Sequence, residues 1–374
     1  MKAERSLVLT LLFSTLIVSV ATAQSVSPTK RLPVCQSKRS CGYVDGRGRG
    51  VIKSEFLDVR PFSEGLAAVK VPTPIGERFG YIDETGKIVI QPTFEAVDEF
   101  SGGLASFHVG VDKNGFDGKI GFIDRTGKIV IPASFDYAKP FSEGLALVET
   151  TVEGKEKTAF INPEGQFTIL PGDFTAQSFS HGLAATCIGP TVQRRCGFIG
   201  KDGKWKVAPT YDEVDDFSEG LAAVRKGKLW GYIDVEGKVI LDFKWNSAKA
   251  FSEGLAAVGI HLWFEVNTYG YIDRFGTVVI YYKYAQAGEF HDGLAAVEPE
   301  GNTEYTINYF YITKTGKRNS KKTYVSASEF HDGIGQIGKA NFFARLEVPI
   351  SWLSTIHDCY IDRSEKEIAC SRTY

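Results

Sequence analysis

The stretch Phe217 to Leu241, FSEGLAAVRKGKLWGYIDVEGKVIL, recurs imperfectly along most of this 374-residue chain, and no other feature limits its fold as strongly. Its opening phrase starts at Phe62, Phe100, Phe141, Phe179, Phe217, Phe251, Phe290 and Phe330, at intervals of 38, 41, 38, 38, 34, 39 and 40 residues. A second phrase, aromatic then Ile or Val then usually Asp, follows each anchor, from Gly80–Asp83 through Gly121–Asp124, Ala159–Asn162, Gly197–Gly200, Gly231–Asp234, Gly270–Asp273 and Phe310–Thr313 to Cys359–Asp362. One extra copy, Gly42–Asp45, precedes the first anchor. A period of this length marks a repeat architecture, and it overrides the two or three separate domains that length alone would suggest.

Within a unit the chemistry specifies an antiparallel meander. Leu221 to Val224 is apolar and ends β-branched, Arg225 to Lys228 contains Gly227 and turns the chain, and Trp230 to Ile233 is aromatic and β-branched. Asp234-Val235-Glu236-Gly237 then supplies a reversal, with Asp accepting backbone hydrogen bonds and Gly taking the left-handed position. Lys238 to Leu241 gives a third strand, and Pro92, Pro132 and Pro209 limit such strands elsewhere. In Tyr232-Ile233 and Val239-Ile240 apolar side chains point to both faces, so each small sheet needs a neighbour on either side. The expected fold is therefore all-β, a tandem array of about nine three-stranded antiparallel meanders, each contacting mainly its neighbours. Uneven spacing and only three evident strands per period favour an open β-solenoid or superhelix. The alternative is a closed β-propeller.

The N-terminus reads as a secretory signal at residues 1–23: Lys2 and Arg5, an apolar run from Leu7 to Val20, then Ala21-Thr22-Ala23. The run is shorter than the roughly 20 residues a membrane span needs, and no transmembrane span is expected after cleavage. Residues 24–34 read as a linker, and 35–374 as one repeat domain with an insertion at 339–358, whose apolar residues fit an end cap. Export predicts oxidised cysteines, and the six pair naturally across hairpins as Cys35 with Cys41, Cys187 with Cys196 and Cys359 with Cys370. The destination is periplasmic, cell-surface or extracellular.

The combination of FSEGLAAV, KGKLWGYID and GKVI resembles the WG-repeat family of bacteria, with the Trp-Gly pair intact only at Trp230-Gly231. Phe79-Gly80, Ile120-Gly121 and Tyr269-Gly270 stand at the equivalent place in other copies, and the resemblance covers roughly residues 42–338 and 359–370. It implies a β-rich module of exported and surface proteins and carries over no catalytic residues.

Candidate chemistry is sparse. Glu64, Glu143, Glu219 and Glu253 recur in the anchor turn, but Gly102, His181, Asp292 and Asp332 occupy related positions, so these read as solvated turn residues rather than a row of cation ligands. Asp45, Asp83, Asp124, Asp234, Asp273 and Asp362 read as turn formers. A glycosidase needs two carboxylates singled out in one cleft, and here all are repeated alike. The histidines 108, 181, 261, 291, 331 and 357 lack a short ligand spacing such as HxxxH, and Ser354, His357 and Asp358 are too close in sequence for a triad. No catalytic residue, metal ligand or cofactor is assigned. Without residues 1–23 the chain keeps 41 basic against 44 acidic side chains and has no basic stripe, which excludes nucleic acid as a partner. Variable tips between the first and second strands are the natural binding elements. The apolar tip His261, Leu262, Trp263 and Phe264, together with Trp352 in the insertion, is the best candidate surface. The function read from these features is an exported, non-enzymatic scaffold that binds a protein or envelope component through its tips. The alternative is a glycan-binding module using aromatic tips such as Trp263, and a hydrolase ranks last.

Overall fold

Around the second phrase Gly231–Asp234, the strands Glu213–Val214, Leu221–Lys226, Leu229–Asp234 and Val239–Trp245 pair antiparallel in chain order, each with the next. The computed structural model that shows this describes residues 29–37, 39–110, 118–261, 267–301, 308–340 and 356–371. Residues 1–23, read above as a secretory signal, the tip residues Leu262, Trp263 and Phe264, Trp352 and most of the 339–358 insertion lie outside the described residues.

Most units thus have one strand more than the three-stranded meander expected from sequence, while the first sheet, Arg31–Ser37, Ser40–Asp45 and Gly50–Phe56, has three. The extra strand is the connector before the anchor, such as Asp58–Val59, Ala96–Val97 or Tyr137–Ala138. Two residues are too few to carry a legible alternation, yet Val214 lies directly opposite Val224 and extends the sheet. Among the described residues there are eight sheets, one three-stranded, six four-stranded and one six-stranded from Ser247 to Thr313 that holds two successive repeats. Numbered by their second phrases, the units run from 1 at Gly42–Asp45 to 9 at Cys359–Asp362.

Two glycines set the unit's shape. A Cβ on Gly231 would lie 2.7 Å from the carbonyl oxygen of Leu241, so only glycine lets the third strand close on the second at the register shift around Tyr232. Gly237, at φ 83, closes the reversal and faces Val207 of the preceding unit.

Units meet face to face through apolar slabs. Unit 6 joins unit 7 through Leu221, Ala223, Tyr232, Leu241, Phe251, Ala256, Val258 and Ile272. Similar cores join each other consecutive pair from units 1 and 2 to units 8 and 9. In every one the anchor Phe meets the aromatic of the preceding unit's second phrase. The centroid distances run from 4.6 Å for Phe198–Phe217 to 5.0 Å for Phe122–Phe141.

A ninth core overturns the open solenoid. Leu32, Val34 and Val44 of unit 1 pack against Ile334, Tyr360, Ile368 and Ala369 of unit 9. Gly48 there abuts the backbone carbonyl of Ile368, at the position where Gly237 abuts the Val207 side chain. The Lys30 Nζ, 3.1 Å from the Asp332 carboxylate, donates to it and to the carbonyl of His331. The chain is a closed β-propeller, and first and last units shield one another where an open array needs a cap. Accordingly Arg31–Val34, read above as linker, is strand: the first strand runs Arg31–Ser37.

The three disulfides join the pairs expected, Cys35–Cys41, Cys187–Cys196 and Cys359–Cys370, each between directly opposed residues of neighbouring strands. No described helix is long and apolar enough to cross a membrane.

Phe251, fully buried, should cost about 3–5 kcal/mol on change to Ala by urea denaturation, whereas half-buried Phe62→Ala should cost clearly less. Tyr43, Tyr81, Tyr232, Tyr271 and Tyr311 donate hydroxyl hydrogen bonds to the backbone carbonyls of residues 60, 98, 249, 288 and 328. Burial raises each phenol well above the ordinary range. An unfolded tyrosine ionises near pH ~10 while the native state holds the proton, so this stability is complete below that pH and is lost as pH rises beyond it. Urea titrations at pH 8 and 11 should show the loss, and Tyr232→Phe, which copies Phe122, Phe160 and Phe198, should reduce it.

Candidate functional site

Four antiparallel strands in chain order place alternate connections on opposite faces of the ring. The anchor turns and Asp-x-x-Gly reversals share one face, where the Arg125 guanidinium within one reversal donates to the Glu64 carbonyl of the preceding unit at 2.6 Å. The connectors and hairpin tips share the other, where the Gly227 N–H of a tip donates to the Asp212 carboxylate at 2.6 Å.

The anchor face is fastened by two repeated hydrogen bonds. The serine after the anchor Phe donates to the carbonyl of the next unit's anchor, as in Ser63 to Phe100 (2.6 Å), Ser142 to Phe179 (2.7 Å) and Ser218 to Phe251 (2.6 Å). The next residue is an acid that accepts from the following unit's Gly N–H: Glu64 from Gly103, Glu143 from Gly182, Glu219 from Gly254, Glu253 from Gly293 and Asp292 from Gly333, at 2.6–3.1 Å. The recurring glutamates are therefore latches between units, which corrects their reading as merely solvated turns. Each sits at φ of 51–52, a region costly for a side chain, and the latch offsets that cost. Lys201 and Lys314 add ion pairs of 3.2 and 3.0 Å to Glu143 and Glu253. The reversal aspartates act as expected: Asp83, Asp124, Asp273 and Asp362 each accept backbone N–H groups two and four residues on.

The pattern breaks at units 8 and 9, where the latch serine is replaced by His291 and His331. Their rings lie 4.7 Å apart, and both face the Glu329 carboxylate, His291 Nε2 at 3.2 Å and His331 Nε2 at 3.8 Å. Glu289 stands 3.8 Å from His291, and burial, together with the charge of Glu329, raises its carboxyl above the usual range. Beneath this rim lies a cavity of about 650 Å3, lined by Lys249, Gln286, Tyr309, Ser328 and Gln336 as well as Glu329 and His331. Sequence reading missed this cluster because it sought ligands a turn apart, whereas the two histidines are one repeat apart. The same residue type at the same unit position in consecutive copies was the signal.

A second departure is Glu365, which replaces the reversal glycine in unit 9 at φ 60. Its buried carboxylate accepts from Asn319, Ser320 and Tyr324 at 2.9, 2.8 and 2.7 Å. It fills the place where other reversals meet a regular third strand.

On the tip face, His261 ends its strand exposed, its N–H donating to Asn246. It is the one member of the predicted tip cluster within the described residues. Other tips expose Ile75 and Val192, at 70% and 95%. Sequence reading passed over both, because a single apolar residue in a tip does not stand out.

The description "WG containing repeat" fits residues 42–71, 79–109, 120–151, 197–230, 230–260 and 269–302, about half of the chain. No curated protein matches. Among solved structures, the crystal structure of the eukaryotic initiation factor aligns over 91% of this chain and 95% of its own, at 12% identity and a TM-score of 0.60. The tricorn protease aligns over 91% of this chain and 44% of its own, at 11% identity and a TM-score of 0.29. An uncharacterized protein from Listeria monocytogenes EGD-e aligns over 64% of this chain and 83% of its own, at 9% identity and a TM-score of 0.42. At such identities only the first, by its TM-score, bears on the fold, and it agrees with the closed ring.

Latch and strain can be separated at one position. Glu219→Ala loses the bond to Gly254 and keeps the unfavourable φ, so it should cost about 1 kcal/mol in urea denaturation. Glu219→Gly loses the same bond but relieves the backbone, and should be nearly neutral.

Proposed function

This chain belongs to the WG containing repeat family, and from that premise we propose that it is an exported, non-enzymatic scaffold binding a protein or envelope partner through its hairpin tips. The observation that carries this reading is the division of labour between the two faces. Anchor turns and reversals are tied to one another and to their own backbone, so their recurring polar groups are engaged within the ring. The tips carry the variation in length, and they expose apolar side chains, Ile75 and Val192 among them. Large apolar groups held in water at loop ends are favourable contacts for a partner that covers them. Three disulfides suit an oxidising compartment beyond the membrane.

The test is capture from envelope extract of the producing cell, with purified protein as bait, compared with an Ile75→Ser, Val192→Ser, Trp263→Ala variant. Ile75 in its turn and Val192 in its short 3-10 helix are both exposed, so the variant should keep its melting temperature within a few degrees. The triple variant should lose a partner that the native protein retains. Retention by the triple variant, coupled with loss by a variant of the anchor face, would move binding to the opposite side and reject the proposal. Parallel glycan arrays identify a carbohydrate ligand if signal depends on Trp263 alone.

A further inference from the structure

We infer that His291, His331 and Glu329 form a binding site for one divalent transition-metal ion at the inner rim of the anchor face. The site is independent of the tips, which lie on the other face of the ring.

The three side chains bring their ligand atoms to one place. The possible ligand atoms of all three residues lie within 4.8 Å of one another, with Glu329 Oε2 at 3.2 and 3.8 Å from the two Nε2 atoms. Two ligands bound at about 2.1 Å in tetrahedral directions stand roughly 3.4 Å apart, so small side-chain adjustments would bring all three onto one ion. Imidazole nitrogens with one carboxylate favour Zn2+ and its transition-metal neighbours over Mg2+ or Ca2+, which prefer all-oxygen sets. Glu289, 3.8 Å from His291, provides a second negative group beside the site, and a cation would relieve the repulsion between it and Glu329.

The substitution pattern supplies the second observation. Six units carry serine at this position, and each donates its hydroxyl to the next anchor carbonyl. Only units 8 and 9, among the anchors, exchange that serine for histidine, and the fold makes those two units neighbours. Two consecutive losses of a bond used around the ring place two metal-binding side chains against a shared carboxylate. The other cluster of similar composition, Cys359, Glu367 and Cys370, is not equivalent, since its sulfurs are joined in a disulfide.

The test is titration calorimetry of untagged, metal-stripped protein with ZnCl2 at neutral pH, with Co2+ absorption as a report on nitrogen ligation. The native chain should bind one ion and gain melting temperature on binding. His291→Ser and His331→Ser, which install the residue that sister units carry, should each weaken binding by at least about 10-fold, and the double variant should abolish it. His181→Glu, a lone histidine exchanged for the acid that other units carry at its position, should leave binding unchanged. Failure of the native chain to bind Zn2+ stoichiometrically, or undiminished binding by a folded double variant, would overturn the site.

Discussion

Everything in this ring depends on an anchor phenylalanine set against an aromatic ring of the preceding unit. Each pair buries two large apolar groups at the seam between sheets, and the geometry barely changes from one seam to the next. Edge-on and tilted packing of this kind adds a modest stabilisation beyond area burial. Its larger consequence is positional. The anchor fixes the angle between sheets, and a constant angle repeated often enough returns the chain to its start. Where no anchor exists, between unit 9 and unit 1, Leu32 and Val34 fill the seam, and Lys30 meets Asp332 in place of the missing turn.

The hydrogen bonds of the anchor face are subordinate to that packing, but they explain residue choices that packing does not. A glutamate at positive φ is a poor local choice, and it persists because its carboxylate reaches the next unit's N–H. Serine beside it has the reach to join anchor to anchor. Such side chains look interchangeable with other polar turn residues until the neighbouring unit is present. Local chemistry and inter-unit geometry thus act on adjacent residues of a four-residue phrase, Phe for the seam and Ser-Glu-Gly for the fastening.

The two faces have different freedom in consequence. Changes in an anchor turn alter two units at once, whereas a tip can lengthen without disturbing any seam. Units 8 and 9 are the exception on the anchor face, with serine exchanged for histidine twice and the reversal glycine of unit 9 exchanged for Glu365. These changes lie in adjoining units, and they bring His291, His331 and Glu329 together at one place and bury Glu365 at another.

The sequence by itself determined the all-β class, the period, the reversals and the cysteine pairing, because each rests on residues close together in the chain. Asp234 and Gly237 make their turn within one hairpin, and Cys187 and Cys196 face each other across another. Only the tertiary structure decided that the array closes, since Leu32 meets Ile368 from the far end of the chain, and no periodicity encodes the angle between successive sheets. The short strand before each anchor was hidden for a simpler reason: two residues carry no alternation, and their pairing shows only once the strand after the anchor turn lies beside them. Glu219 and His291 likewise took their roles from side chains one repeat away, at a distance that local pattern reading does not span.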